Sequence, residues 1–233
     1  MGNERRQILH FGEVTLTSPE YGGIDPIGIT LEVWSTDLLL LLVEHPGQGT
    51  AFADGCSGLL MPSAGEIRFL SRSWPRLKPD TANALRGHIG RVFSEGSWIH
   101  SLTLIENTLL QQLHHTRLPL EHHLGEASRI ARRFGLPGIP AGFPEEFSPA
   151  DLQRASWVRA FLGQPVLILL EEPTRNLTRD TLSGLINVIR KARDDGAAVI
   201  WITADPHLWQ EDSIPATRRF RWLGRNLMEA PQR

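Results

Sequence analysis

Three short apolar runs punctuate the chain, at Leu38–Val43, Val166–Leu170 and Ala198–Thr203, and each is continuous rather than alternating. Such runs fit strands of a parallel sheet covered by helices on both faces. Upstream, Ile8–Leu16 and Ile27–Trp34 read as shorter, half-exposed strands, with Pro19, Gly22, Gly23 and Pro26 marking the turn between them. Thr50–Leu60 reads as a helix. Helical periodicity returns at Leu102–Leu113 and Leu118–Phe134, is broken by proline and glycine over Leu136–Gly142, and resumes at Leu152–Leu162 and Thr181–Asp195. A strand-and-turn pattern, Phe220–Leu227, follows. The alternation predicts an α/β fold in one domain over residues 1–233: a mostly parallel sheet with flanking helices and an N-terminal antiparallel β subdomain. Residues 98–150 are expected to form an inserted helical subdomain.

Composition narrows the class without naming a function. Of 233 residues, 41% are hydrophobic and 21% charged, enough apolar material for a sizeable core. A formal net charge of −2 gives no electrostatic footprint for nucleic acid; the arginines Arg218, Arg219, Arg221 and Arg225 read as a solvated face. The single cysteine, Cys56, excludes an internal disulfide and suits a reducing cytosol. No run approaches the roughly 20 apolar residues that span a bilayer, and Met1–Arg6 leads into a strand pattern instead of a signal-peptide core. A membrane role is therefore expected to pass through a partner.

Two stretches carry the chemistry. Glu44-His45-Pro46-Gly47-Gln48-Gly49-Thr50-Ala51 lies between an apolar strand and a helix, the setting of a phosphate-binding P-loop, G-x-x-x-x-G-K-[ST]. Glu44 stands at the first glycine, Thr50 at the lysine and Ala51 at the serine or threonine; Gly49 and the turn-forming Gly47 remain. The frame is P-loop NTPase-like. Val166–Leu170 then delivers Glu171-Glu172-Pro173-Thr174 to the end of a strand, where open α/β sheets place their ligands. One such carboxylate in a P-loop ATPase holds Mg²⁺ and the next orients the attacking water.

Together these stretches resemble the nucleotide-binding domain of ABC transporters over about Ile8–Glu229. Met61–Ile67 is similar to that family's P-x-x-G-x-I turn. Ile89-Gly90-Arg91-Val92-Phe93 leads to its Q-loop glutamine position, here Ser94. Leu102-Thr103-Leu104-Ile105-Glu106-Asn107 is close to its L-T-x-x-E-N segment; with Trp98 it implies a permease-docking groove of Trp98, Leu102, Thr103, Glu106 and Asn107. Phe147-Ser148-Pro149-Ala150-Asp151 stands at the L-S-G-G-Q signature, Thr178 at the D-loop aspartate and Ala204 at the switch histidine. The segment Gln111–Pro119, after Ser97–Thr103, narrows the likeness to Mla-type phospholipid-transport ATPases, whose permeases work with lipid-binding MCE proteins.

The resemblance implies ATP and Mg²⁺ as ligands, with binding weakened. Thr50 offers no charge to a phosphate, and a hydrogen bond to a charged group is worth about 1.5–3 kcal/mol. Ala51 has no hydroxyl for Mg²⁺, leaving Glu171 as the metal candidate. Glu44 brings negative charge towards a polyanion. Tyr21 and Trp34 are candidate rings for adenine stacking, although packing in the core or on the surface is the favoured role of each. Hydrolysis is more impaired: Glu172 keeps the catalytic-base position without a lysine, glutamine or histidine to work with. At the signature, Pro149 deletes an N–H and Asp151 adds a carboxylate, leaving Ser148 as the useful donor.

The leading expectation is a pseudo-ATPase subunit, peripheral on the cytoplasmic face of a membrane. It docks on a permease and pairs with an intact ATPase, or with a second copy of itself. Two alternatives stand beside it: an atypical but active ABC ATPase, and a soluble regulatory protein that has kept the fold. The histidine pairs His114-His115 and His122-His123 read as surface residues rather than metal ligands.

Overall fold

The computed structural model describes residues 5–18, 24–95, 97–178 and 181–231. Its three apolar runs form neighbouring strands: β3 (Leu38–Leu42), β8 (Ala198–Thr203) and β7 (Leu167–Glu171) lie side by side and parallel, with β6 (Ile89–Val92) beyond β7. β9 (Arg218–Leu223) pairs parallel to β3 on its other side, and β10 (Asn226–Glu229) folds back antiparallel on β9. Beyond β10 come β2 (Ile24–Trp34), β1 (Gln7–Ser18), β4 (Ala64–Phe69) and β5 (Arg72–Ser73), which close the order β5-β4-β1-β2-β10-β9-β3-β8-β7-β6. The antiparallel arm is thus continuous with the parallel block. β1 and β2 are also longer than their apolar cores predict, because hairpin pairing extends through the flanking residues.

The leucines of β3 show why an unbroken apolar run is needed. Leu39 and Leu41 face one core, with Phe52 and Cys56 of α1 (Pro46–Cys56). Leu38 and Leu40 face the other, with Trp157 of α5 (Pro149–Phe161) and Leu185 of α6 (Leu182–Asp194). Alternate side chains on a strand point to opposite faces, and both faces are buried. Among the described residues, α3 (Leu104–His115), α4 (Leu120–Arg133) and α5 separate β6 from β7 in sequence. α5 lies so close to β6 that a Cβ on Gly90 would sit 1.8 Å from the Ala160 carbonyl oxygen. Two smaller helices complete the chain, α2 (Pro79–Arg86) and α7 (Pro206–Trp209).

One boundary departs from expectation in a way that bears on function. α1 begins at Pro46, not Thr50, so Pro46–Gly49 belong to its first turn. Proline is pre-organised for the first helical position, and the Gln48 side chain secures the backbone ahead of it.

Candidate nucleotide site and docking cleft

The loop after β3 is held by its own side chains. Gln48 is buried, and its Oε1 accepts hydrogen bonds from the backbone N–H of Glu44 (2.8 Å) and of His45 (3.1 Å). Backbone N–H groups of this kind make a P-loop an anion nest; here a carboxamide oxygen takes two of them. Glu44 reaches the β9–β10 turn, where its Oε1 accepts from Gly224 N at 3.3 Å. Gly49 has a packing reason of its own, since a Cβ there would lie 2.7 Å from Ile202 Cγ2. Ala51 is buried in the core, whereas Gly47 is half-buried.

Below the loop, Thr50 Oγ1 donates to Glu171 Oε2 at 2.7 Å. The other oxygen of Glu171 accepts from Arg91 Nε at 2.7 Å, and Arg91 Nη1 donates to Asp54 Oδ1 at 2.5 Å. The side chains of Glu171 and Arg91 are almost wholly buried, and that of Asp54 nearly so. Burial alone would push the Arg91 pKa down, but the Glu171 and Asp54 carboxylates outweigh it and hold the guanidinium above its ordinary range. Its face stacks on Phe93, 4.5 Å from the ring centre, and its Nη2 is buried with no hydrogen-bond partner.

The carboxylate expected to hold the metal already carries a guanidinium and a hydroxyl. Two backbone N–H groups of the loop are taken by Gln48, Thr50 stands at the lysine position, and Arg91 lies beside Glu171. Neither Asp54 nor Arg91 stood out as a site residue in the sequence, although a signal existed. An arginine inside the buried run Ile89–Val92 requires carboxylate partners, and Glu171 is on the adjacent strand.

The catalytic-base position is equally occupied. Glu172 has a left-handed backbone, φ 43°, and its N–H donates to Ile202 O at 2.9 Å. Its carboxylate turns onto the end of β8, accepting from Ala204 N and from Thr203 Oγ1 at 3.1 Å. The base and switch positions are thus bonded to each other, and burial raises the Glu172 pKa. Ser94 presents its carbonyl to Arg175 Nη1 at 3.1 Å. Ser148, expected as the useful donor of the signature region, is the N-cap of α5. Its Oγ accepts from Asp151 N and donates to Asp151 Oδ2, while Asp151 also binds Arg154. Pro149 and Ala150 form the first turn of that helix. Trp34 lies before β3, at the opposite end of the strand from the loop; that separation corrects the expectation that it could stack on adenine there. Tyr21 lies outside the described residues.

The residues expected to form a docking groove lie at and just before the N-terminus of α3. A cleft of about 580 Å³ opens between α2, β6 and α3, and of the five expected residues only Asn107 lines it. Thr103 and Glu106 instead build the N-terminus of α3, with Thr103 N donating to Glu106 Oε2 at 2.7 Å and Glu106 N donating to Thr103 Oγ1 at 3.3 Å. That is a capping box. Asn107 ties the preceding loop to α3 through bonds with Ile99, Leu102 and Thr103. Leu102 is half-buried on that loop. Trp98 backs the cleft by stacking under Arg159, whose guanidinium is 4.4 Å from the ring centre. Burial pushes the Arg159 pKa down to about 10.

A family model described as ABC transporter matches residues 36–175, more than half of the chain. The chain belongs to the ABC transporter family as an ATP-binding-cassette domain. It is similar to the bacitracin export ATP-binding protein BceA of Halalkalibacterium halodurans, at 28% identity over 77% of this chain and 71% of that protein. Its likeness to the macrolide export ATP-binding/permease protein MacB of Marinobacter nauticus is 29% identical over 84% of this chain but spans only 30% of MacB. In fold it resembles the dimeric structure of MJ0796, a bacterial ABC transporter cassette, with a TM-score of 0.84 and 22% identity over 97% of this chain and 99% of that one.

Proposed function

We propose that this chain is a degenerate ATP-binding subunit: a pseudo-ATPase that docks on a membrane permease and pairs with an intact ATPase. The observation that carries this reading is the closure of Glu171 by Arg91 and Thr50, with Gln48 filling the loop above. Removing one partner of a buried ion pair costs about 3–5 kcal/mol, so freeing Glu171 for a metal carries a penalty of that order. At about 1.4 kcal/mol per tenfold, that lowers affinity by at least two powers of ten before the missing lysine is counted.

In a head-to-tail pair of cassettes, each nucleotide lies between the loop of one chain and the signature of the other. Two copies of this chain would give two sites defective on both sides. An intact partner retains one competent loop, faced from across by the N-terminal end of α5, where Ser148 is bonded to Asp151. No helix among the described residues is long and apolar enough to cross a membrane, so in this reading the chain sits on the cytoplasmic face through its permease. The likeness of Gln111–Pro119 to Mla-type ATPases supports a phospholipid or other hydrophobic cargo, delivered through a lipid-binding MCE protein.

Purification of the tagged chain from its native membranes in mild detergent tests the assembly. Recovery of a permease with an intact ATPase is the expected result. Recovery of a permease with this chain as the only cassette would overturn the pairing, and recovery of no membrane protein would favour the soluble regulator.

A further inference from the structure

A crevice of about 390 Å³ opens where β7 and β8 begin, at the end of the sheet away from the nucleotide loop. Residues of α4 and α6 line it, and the start of β1 meets them there. Its apolar lining is buried: Ile8, Ile130, Phe161, Ile168 and Val188 all face this space from the core. The crevice is thus an opening into the interior and not a patch on the surface. Small-molecule sites have this form, an apolar hollow of roughly 300–1,000 Å³ with a few polar groups at its edge. Four cations and two acids stand around it. Lys191 is bonded to Asp195, and Arg129 approaches Glu126 at 3.8 Å. Arg6 and Arg133 complete the set, and among the described residues no carboxylate pairs with either. The chain holds Arg6 in place: its N–H donates to Ser35 Oγ at 3.0 Å, and Ser35 N donates to its carbonyl at 2.7 Å.

Two guanidinium groups in excess at the edge of an apolar hollow are complementary to an anion with an apolar body. A neutral molecule leaves both unused, and a cation meets like charge. A singly charged carboxylate costs less to desolvate there than a phosphate dianion, and a guanidinium fork takes both of its oxygens. We infer that this crevice binds a small amphipathic carboxylate, its hydrocarbon body among Ile130, Phe161 and Val188 and its carboxylate on Arg6 and Arg133. The occupant touches several parts of the fold at once. Gln164 and Pro165, in the link from α5 to β7, also line the crevice, and Gln164 holds a left-handed backbone, φ 54°. A ligand in contact with α4, α6 and this link fastens the helices to the sheet. It acts as an effector that stiffens the cassette from the end of β7 opposite Glu171, and the site does not depend on how the nucleotide loop is read.

The test titrates octanoate into the full chain by calorimetry, beside octanol and octylammonium as probes of equal length. Octanoate should bind saturably and at least about tenfold more tightly than octanol, the worth of a hydrogen bond to a charged group. Octylammonium should give no saturable heat. Arg6→Gln and Arg133→Gln, both at exposed positions, should each weaken octanoate about tenfold. Ala192→Trp, which puts a ring into the crevice from α6, should remove binding. Octanoate should also raise the melting temperature of the wild type and leave that of Ala192→Trp unmoved. If Ala192→Trp fails to fold, the two glutamine variants decide the matter alone. Octanol or octylammonium binding as tightly as octanoate, or octanoate affinity unmoved by both glutamine variants, overturns the inference. No saturable heat at millimolar octanoate overturns it as well.

Discussion

Arg91 Nε stands 2.7 Å from Glu171 Oε1, between the strand that ends at the metal position and the strand that leads to the Q-loop position. In the proposed reading, this contact puts a protein cation where a nucleotide-handling cassette needs an exchangeable one. Arg91→Met should therefore destabilise the fold by about 3–5 kcal/mol, because Asp54 and Glu171 lose the buried cation they share. Arg91→Met with Asp54→Asn and Glu171→Gln should recover most of that loss. Urea denaturation of the wild type, the single variant and the triple variant checks both expectations; a single variant as stable as the wild type would show the network to be idle.

Glu172 makes a different prediction, because its folded pKa is raised by burial. Between the ordinary glutamate value and its raised value, the native state holds a proton that the unfolded state has released. Its contribution to stability is thus full below the ordinary value and is lost as pH rises through the folded one. Glu172→Gln removes that loss, and its amide oxygen can still accept from Ala204 N. The variant should match the wild type at acid pH and be the more stable at neutral pH. In the assembled transporter it should leave ATP turnover unchanged; a fall would mark Glu172 as an active base.

Gly49 separates packing from phosphate chemistry. Gly49→Ala places a Cβ 2.7 Å from Ile202 Cγ2 and should cost about 1–3 kcal/mol through overpacking. Ile202→Ala in the same chain should relieve the clash. Thermal melts decide the matter, and a Gly49→Ala variant unaffected by the residue at position 202 would contradict it.

Ser148 is argued from its cap. Ser148→Ala should lower stability by about 1 kcal/mol, the usual worth of an N-cap side chain. Asp151→Ala should remove part of the same interaction, so that the double variant loses less than the sum. Full additivity would show that the two side chains do not act together.

The sheet centre was legible in the sequence because β3, β7 and β8 are buried on both faces and carry almost no polar residue. The start of α1 was not, since Gly47 and Gly49 argue for an open loop while Pro46 and the Gln48 carboxamide close it into a helical turn. Glu171 and Glu172 were correctly placed at a strand end, but a sequence shows only that carboxylates are present. Their partners lie elsewhere along the chain: Thr50 and Arg91 for the first, Thr203 and Ala204 for the second. The Leu102–Asn107 motif shows only part of its local role in the sequence. Its Thr103 and Glu106 satisfy a helix end locally, and the cleft is lined instead by residues such as Leu59, Arg86 and Arg159, which come together only in the fold.

The most direct test of the central claim is calorimetric titration of Mg–ATP into the full chain, with a cassette retaining the P-loop lysine as positive control. The closed loop and the paired Glu171 predict no saturable heat up to millimolar nucleotide and no change when Mg²⁺ is omitted. Saturable binding in the micromolar range that disappears with EDTA would show that Glu171 exchanges Arg91 for a metal, and the pseudo-ATPase account would be contradicted.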